Sequence, residues 1–216
     1  MTTKKDKVYQ EILRKYINRT PLIFVDSDGS DFGFSSVMFD DYTGAREAMS
    51  YLISMGHKNI ALIEGGGTNL ISKSNRYKGY IDCLEENKIE VRQEYIVSGD
   101  YSLRSGYDAV EKILKQANPT AIYCINDNMA IGAARKIFEM GLKIPDDISI
   151  IGTDNIEPVK YMCPATLTTM KQDLYKSGEI AAYMILSYIK GEKFDIEVIK
   201  LKQELVIRES VKNLNE

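Results

Sequence analysis

Two short apolar runs, Ala121 to Ile125 and Ile148 to Ile151, flank a segment in which Met129, Ala130, Ala133, Ala134, Ile137 and Phe138 recur at helical spacing. Neither run alternates regularly with polar residues, Ser149 being the single polar residue in either, which is the pattern of strands covered on both faces by helices. Gly141 falls where a left-handed cap would end the intervening helix. The stretch from Thr120 to Asn155 therefore predicts strand, helix and parallel strand, with strands closing on Asn126-Asp127 and Asp154-Asn155. In open α/β sheets ligands bind outside the carboxyl ends of the strands. These four polar side chains mark a candidate binding edge.

The same reading along the chain predicts helix 8–18, strand 21–25, strand 35–39, helix 43–55, strand 59–64, helix 72–87 and strand 95–98. Helix 103–116, strand 121–125, helix 128–140, strand 148–152, strand 167–171, helix 174–190 and strand 196–207 follow. Alternating strands and helices with short connections imply a doubly wound α/β architecture with parallel sheets. Gly56, Asn118-Pro119 and Ile144-Pro145-Asp146-Asp147 supply turns where this order requires them.

Polar residues collect at the ends of the predicted strands: Asp26 and Asp28, Asp40 and Asp41, Gly65-Gly66-Gly67, Asp100-Tyr101, Asn126-Asp127 and Asp154-Asn155. Any one of them could be a turn or helix-cap residue; together they outline a pocket. Carboxylates accept from sugar hydroxyls, Arg76 donates through a planar fork, and Tyr101 offers a ring face to the C–H side of a sugar. A neutral polyhydroxylated ligand fits such a set better than a phosphate, which would want more cations. Gly65-Gly66-Gly67 lacks both the GxGxxG spacing and the Lys-Ser/Thr of a phosphate loop. No Ser or Cys lies in a nucleophile context, although paired carboxylates leave glycoside hydrolysis open.

Composition changes this picture little. The chain has 216 residues, 44% hydrophobic and 27% charged, and a net charge of −3, so it carries no overall electrostatic footprint for nucleic acid. The basic start reads as a solvated helix. No apolar stretch approaches the length that spans a bilayer, and no secretory h-region opens the chain, so a cytoplasmic location is expected. Cys83, Cys124 and Cys163 lack CxxC spacing and read as buried thiols, and His57, the single histidine, reads as structural. No metal and no cofactor is expected.

Several short motifs then point to one family: GHKNIA from Gly56, Arg76 with Gly79-Tyr80, Gly99-Asp100-Tyr101, Pro119 to Ile122, NDNMA from Asn126, PDDISIIG from Pro145, Asp154-Asn155, Leu167-Thr168-Thr169 and Ile207 to Ser210. In order and wording, from about Pro21 to Ser210, the chain resembles the effector-binding domain of LacI/GalR-family transcriptional repressors. The resemblance implies a two-lobed periplasmic-binding-protein-like fold, a small-molecule effector, usually a sugar, and a homodimer. It implies lobes of 20–55 with 167–191 and of 57–166 with 194–210. It also implies effector contacts at Ser72, Arg76, Tyr101, Asn126 and Asp154, with a looser match at Asp40 and Asp41. Asp40-Asp41 before Thr43-Gly44 is similar to the arabinose repressor subgroup, whose DNA-binding domain is a winged helix.

Family members begin with a DNA-binding domain, a hinge and the first strand–helix units of one lobe, and none of these precedes Tyr9. The expectation is therefore an incomplete first lobe, weakened sugar binding, a tendency to associate, and DNA contact only through a separate N-terminal domain. The function expected is a ligand-sensing domain that modulates an attached DNA-binding domain. The alternatives are a transport-type sugar-binding protein of the same fold and a small sugar-processing enzyme.

Overall fold

The computed structural model describes residue 15 and residues 20–66, 74–162, 164–191 and 195–215. In chain order the elements are β1 (Ile23–Val25), β2 (Ser35–Phe39), α1 (Asp41–Ser54), β3 (Ile60–Glu64), α2 (Asn75–Glu86), β4 (Ile96–Ser98) and α3 (Leu103–Gln116). They continue with β5 (Ala121–Cys124), α4 (Asp127–Glu139), β6 (Ser149–Asp154), β7 (Thr168–Lys171), α5 (Leu174–Ile189), β8 (Val198–Leu201) and β9 (Glu204–Val206). The helix expected at 8–18 lies outside the described residues apart from Lys15. Among the described residues no helix is long and apolar enough to cross a membrane.

The chain divides into two compact units, one reaching to Asp40 and resuming over Asp173–Lys202, the other formed by Asp41–Gln172 and Gln203–Glu216. This differs from the lobes drawn from sequence. Helix α1 packs on α2 and strand β7 pairs with β6, so both belong to the larger unit, while β8 pairs with β2 in the smaller one. The predicted strand 196–207 is two strands in two sheets, broken at Lys202-Gln203: β8 lies parallel to β2, and β9 lies antiparallel to β7. Periodicity cannot locate such a break, because both halves read as extended backbone.

The smaller unit is a parallel sheet of order β1-β2-β8 with α5 against it. Ile23, Val37 and Ala181 form its core, with Ile180, Met184, Ile185, Tyr188 and Leu201 packed around them. Two of its buried serines are satisfied: Ser36 Oγ accepts from Gly29 N at 2.8 Å, and Ser35 Oγ accepts from Glu197 N at 3.1 Å. On the opposite side of α5, Tyr175, Tyr183, Leu186 and Ile189 are exposed, so the helix is apolar on more than one face.

The larger unit is a six-stranded sheet of order β4-β3-β5-β6-β7-β9, parallel except for β9. Every residue of β3 and β5 is buried, as the unbroken apolar runs predict. Helices α3 and α4 approach at backbone distance: a Cβ on Gly132 would lie 1.9 Å from Leu103 O, and one on Gly106 would lie 2.1 Å from Met129 O. His57 is buried, with Nδ1 2.9 Å from Thr120 Oγ1 and Nε2 3.1 Å from Lys212 O. It joins the start of β5 to the closing segment of the chain, and burial holds its pKa below the usual histidine value.

Asp127, the first residue of α4, ties the strand ends together. Its carboxylate accepts from Thr169 Oγ1 at 2.7 Å and from Ile156 N at 3.0 Å. Gly152 leaves room for it, since a Cβ there would lie 2.2 Å from Asp127 Oδ1. Burial raises the Asp127 pKa to about 7, against the opposing effect of its hydrogen bonds. A raised carboxyl pKa favours the folded state below the unfolded value near 4, and that contribution is lost as pH rises through 7. Replacing Asp127 with Asn should therefore lower stability at neutral pH yet shrink the change in unfolding free energy between pH 4 and pH 8 by about 1–3 kcal/mol, as read by urea titration. Gly132→Ala should destabilise by about 1–3 kcal/mol through overpacking. Gly178→Ala, whose methyl group meets nothing within 4 Å, should instead be neutral or stabilise by up to about 1 kcal/mol in the same measurement.

Candidate functional site

The carboxyl ends of β3, β5 and β6 and the N-termini of α1 and α2 bring one cationic and several acidic side chains together within the larger unit. Arg76 is the second residue of α2, a helix capped by Ser74, whose hydroxyl accepts from Tyr77 N at 2.9 Å. Arg76 Nη2 donates to Asp41 Oδ1 at 2.9 Å and Nη1 donates to the carbonyl of Ile125, just past β5. Only 12% of the arginine side chain is exposed. Burial works against its charge, and Asp41, with Tyr123 and Asp154, more than offsets this, so the guanidinium stays protonated.

Asp41 opens α1 and gathers further donors. Gln203 Nε2 reaches its Oδ1 at 2.9 Å and Gln172 Nε2 stands at 3.5 Å. Gly44, one turn along the helix, admits Gln203, whose side-chain carbon would lie 2.7 Å from a Cβ at that position. Gly44 thus has a packing reason. Asp40, the neighbouring candidate, belongs to the smaller unit, where its backbone N–H donates to Leu201 O at 2.9 Å.

Asn126 is the N-cap of α4: Oδ1 accepts from Met129 N at 3.0 Å while Nδ2 donates to Tyr101 O at 3.0 Å. The amide is 7% exposed, and its first task is to shape the strand end and hold the Tyr101 backbone. Tyr101 has φ 68 and its ring lies over Gly65, where a Cβ would come within 2.3 Å of Cζ. Gly65 is therefore required by an aromatic ring, and the absence of a phosphate-loop pattern is matched by this packing. Tyr101 remains 47% exposed, a face available to a ligand. Asp154 ends β6 at φ 115, and the next residue, Asn155 at φ 56, accepts from Arg208 Nη2 at 2.6 Å through Oδ1. Such backbone angles are unusual for residues other than glycine and recur at ligand sites. Ser72 lies outside the described residues.

The structure thus brings Arg76 and Asp41 into direct contact, links Asn126 to Tyr101, and sets Asp154 at an adjacent strand end. Sequence reasoning missed Gln172, Gln203 and Glu64. Glu64 closes β3 and is fully buried. Neither of its carboxyl oxygens, nor Arg76 Nε, has a hydrogen-bond partner among the described residues. Burial raises its pKa to about 7, against smaller lowering effects of Ser74, Gly65 and Arg76. A charged residue at the end of an otherwise apolar strand was the available signal. Among the described residues, no three His, Cys, Asp or Glu side chains group as metal ligands.

Residues 49–211 match the periplasmic binding protein-like domain. The chain is 38% identical over 195 residues to the probable HTH-type transcriptional repressor ExuR of Bacillus subtilis, an alignment covering 90% of this chain and 58% of that relative. The chain therefore spans little more than half of that relative's length. A LacI-family regulator from Enterococcus faecium with bound ribose is similar in structure, with TM-score 0.78, 29% identity, and 90% and 71% of the two chains covered. The dimeric Lac repressor with an 11-residue C-terminal deletion gives TM-score 0.81, 30% identity, and 90% and 70% covered. The chain belongs to the periplasmic binding protein-like domain family, as an effector-binding domain of the LacI type.

Proposed function

We propose that this chain senses a small polyhydroxylated molecule at the strand ends of its larger unit, and that in the whole protein the effector modulates DNA binding by an attached domain. The observation that carries this is Arg76, a buried guanidinium held by Asp41 and the Ile125 carbonyl at the carboxyl edge of a parallel sheet. Its planar fork is fixed before any ligand arrives, which lowers the ordering cost of binding. Tyr101 adds a ring face, and Asp154 adds a carboxylate acceptor. The relatives named as repressors and the neighbour with bound ribose support both halves of the proposal. The cytoplasm is the compartment in which such a regulator meets its operator.

The effector acts by preferring one of two conformations, and can shift their populations only by its difference in affinity for them. A homodimer is part of the proposal. An apolar groove of ≈ 360 Å³, lined by Ile131, Ala134, Arg135, Phe138, Met162 and Pro164, opens on α4, and Phe138 is 58% exposed. Exposed apolar patches of this kind mark protein contacts, and the similar Lac repressor is described as dimeric.

A thermal-shift panel of pentoses, hexoses and disaccharides, ribose and cellobiose included, tests the effector reading. A ligand at 100 times its Kd should stabilise the protein by about 2.7 kcal/mol, and Arg76→Ala should abolish the shift; a panel without any response overturns the reading. Asp41→Asn should cost about 3–5 kcal/mol of stability, because it leaves a buried guanidinium without its counter-charge. In sedimentation velocity, Phe138→Glu should convert the dimer to a monomer with its ligand-induced shift intact.

A further inference from the structure

We propose that Glu64 sets the charge preference of the effector site, favouring a ligand that brings a positive charge or a strong hydrogen-bond donor and rejecting an anion. This rests on the reading of the strand ends as the effector site. Three observations carry it. First, Glu64 is fully buried at the end of β3, and neither oxygen has a partner in good hydrogen-bond geometry among the described residues, although the Ser74 hydroxyl and the Gly65 N–H lie close enough to favour its charged form. A buried polar group left in that state costs free energy that a donor on a ligand would recover.

Second, the cation beside it among the described residues, Arg76, has both terminal nitrogens engaged. Arg76 is paired with Asp41 at 2.9 Å, and Gln203 and Gln172 turn their amide donors towards the same carboxylate. The pair is neutral as a unit. Glu64 stands beside this pair as a further acid, close enough for Arg76 to act on it electrostatically. An anionic ligand beside Glu64 would be repelled by its carboxylate in the ionised form.

Third, the carboxyl group is placed to change state on binding. Its pKa is raised to about 7 by burial, so near neutral pH it holds a proton for part of the time. An ammonium group arriving beside it replaces that proton, which leaves to solvent, and the new ion pair forms between the ligand nitrogen and the Glu64 carboxylate. A hydroxyl ligand leaves the proton in place and donates to, or accepts from, the neutral acid. The register that sets β3 beside β5 places Glu64 next along the strand after the Ile63 and Cys124 pair, in the same layer as the Ile125 carbonyl that anchors Arg76.

The test uses three probes of similar size, D-glucosamine, D-glucose and D-glucuronate, titrated at pH 7 into the protein and into Glu64→Gln with NMR shifts as the readout. Glucosamine is expected to bind at least tenfold more tightly than glucuronate to the unsubstituted protein, with glucose between them. In Glu64→Gln the ratio should fall to within about threefold, since the isosteric amide keeps the shape and loses the charge. An unchanged ratio, or glucuronate binding as tightly as glucosamine, overturns the role of Glu64; loss of that binding in Arg76→Ala then keeps the effector site itself. If none of the three binds, the role of Glu64 is overturned, and the effector reading falls with it when the wider sugar panel is also silent. A melting temperature for Glu64→Gln within a few degrees of the unsubstituted protein excludes a purely structural effect.

Discussion

A parallel sheet covered by helices has nowhere to put polar chemistry except at its ends, and in the larger unit that constraint is resolved around one carboxylate. Asp41 receives Arg76, Gln203 and Gln172, three residues far apart in the chain. Each of these segments brings a donor to a partly buried carboxylate that faces a buried guanidinium. The pairing aligns the start of α1, the first turn of α2 and the residues just outside β7 and β9. With the guanidinium so fixed, the Ile125 carbonyl past β5 becomes its second acceptor, and the site acquires its floor.

Much of this was legible from pattern. The apolar runs of β3 and β5 and the helical spacing in α4 locate the elements of the larger sheet without any structure. Helix α3 was located to the residue. The failures have physical causes. One extended stretch near the C-terminus is two strands in different sheets, and nothing in a period of two distinguishes a continuing strand from one that changes partner. Assigning α1 and β7 to the smaller unit failed for a related reason, since which surface a helix packs on is set by contacts remote in sequence.

Residue roles were read less evenly. Arg76 and Asp41 meet, and of the adjacent pair it is Asp41 that faces the arginine. Asn126 proved to hold a helix cap and the backbone of Tyr101, the role amides generally prefer. Glu64 was overlooked because the three glycines that follow it drew attention to backbone access. Gly65 is small so that a ring can rest on it, while the unusual feature was the acid one residue earlier.

His57 carries a practical consequence. The chain has one histidine, and its ring nitrogens face Thr120 and Lys212 across the larger unit. A single imidazole shielded from solvent and bonded at both nitrogens yields one isolated set of ring resonances. The protein therefore contains its own label for whether the closing segment stays docked, readable without introducing any foreign group.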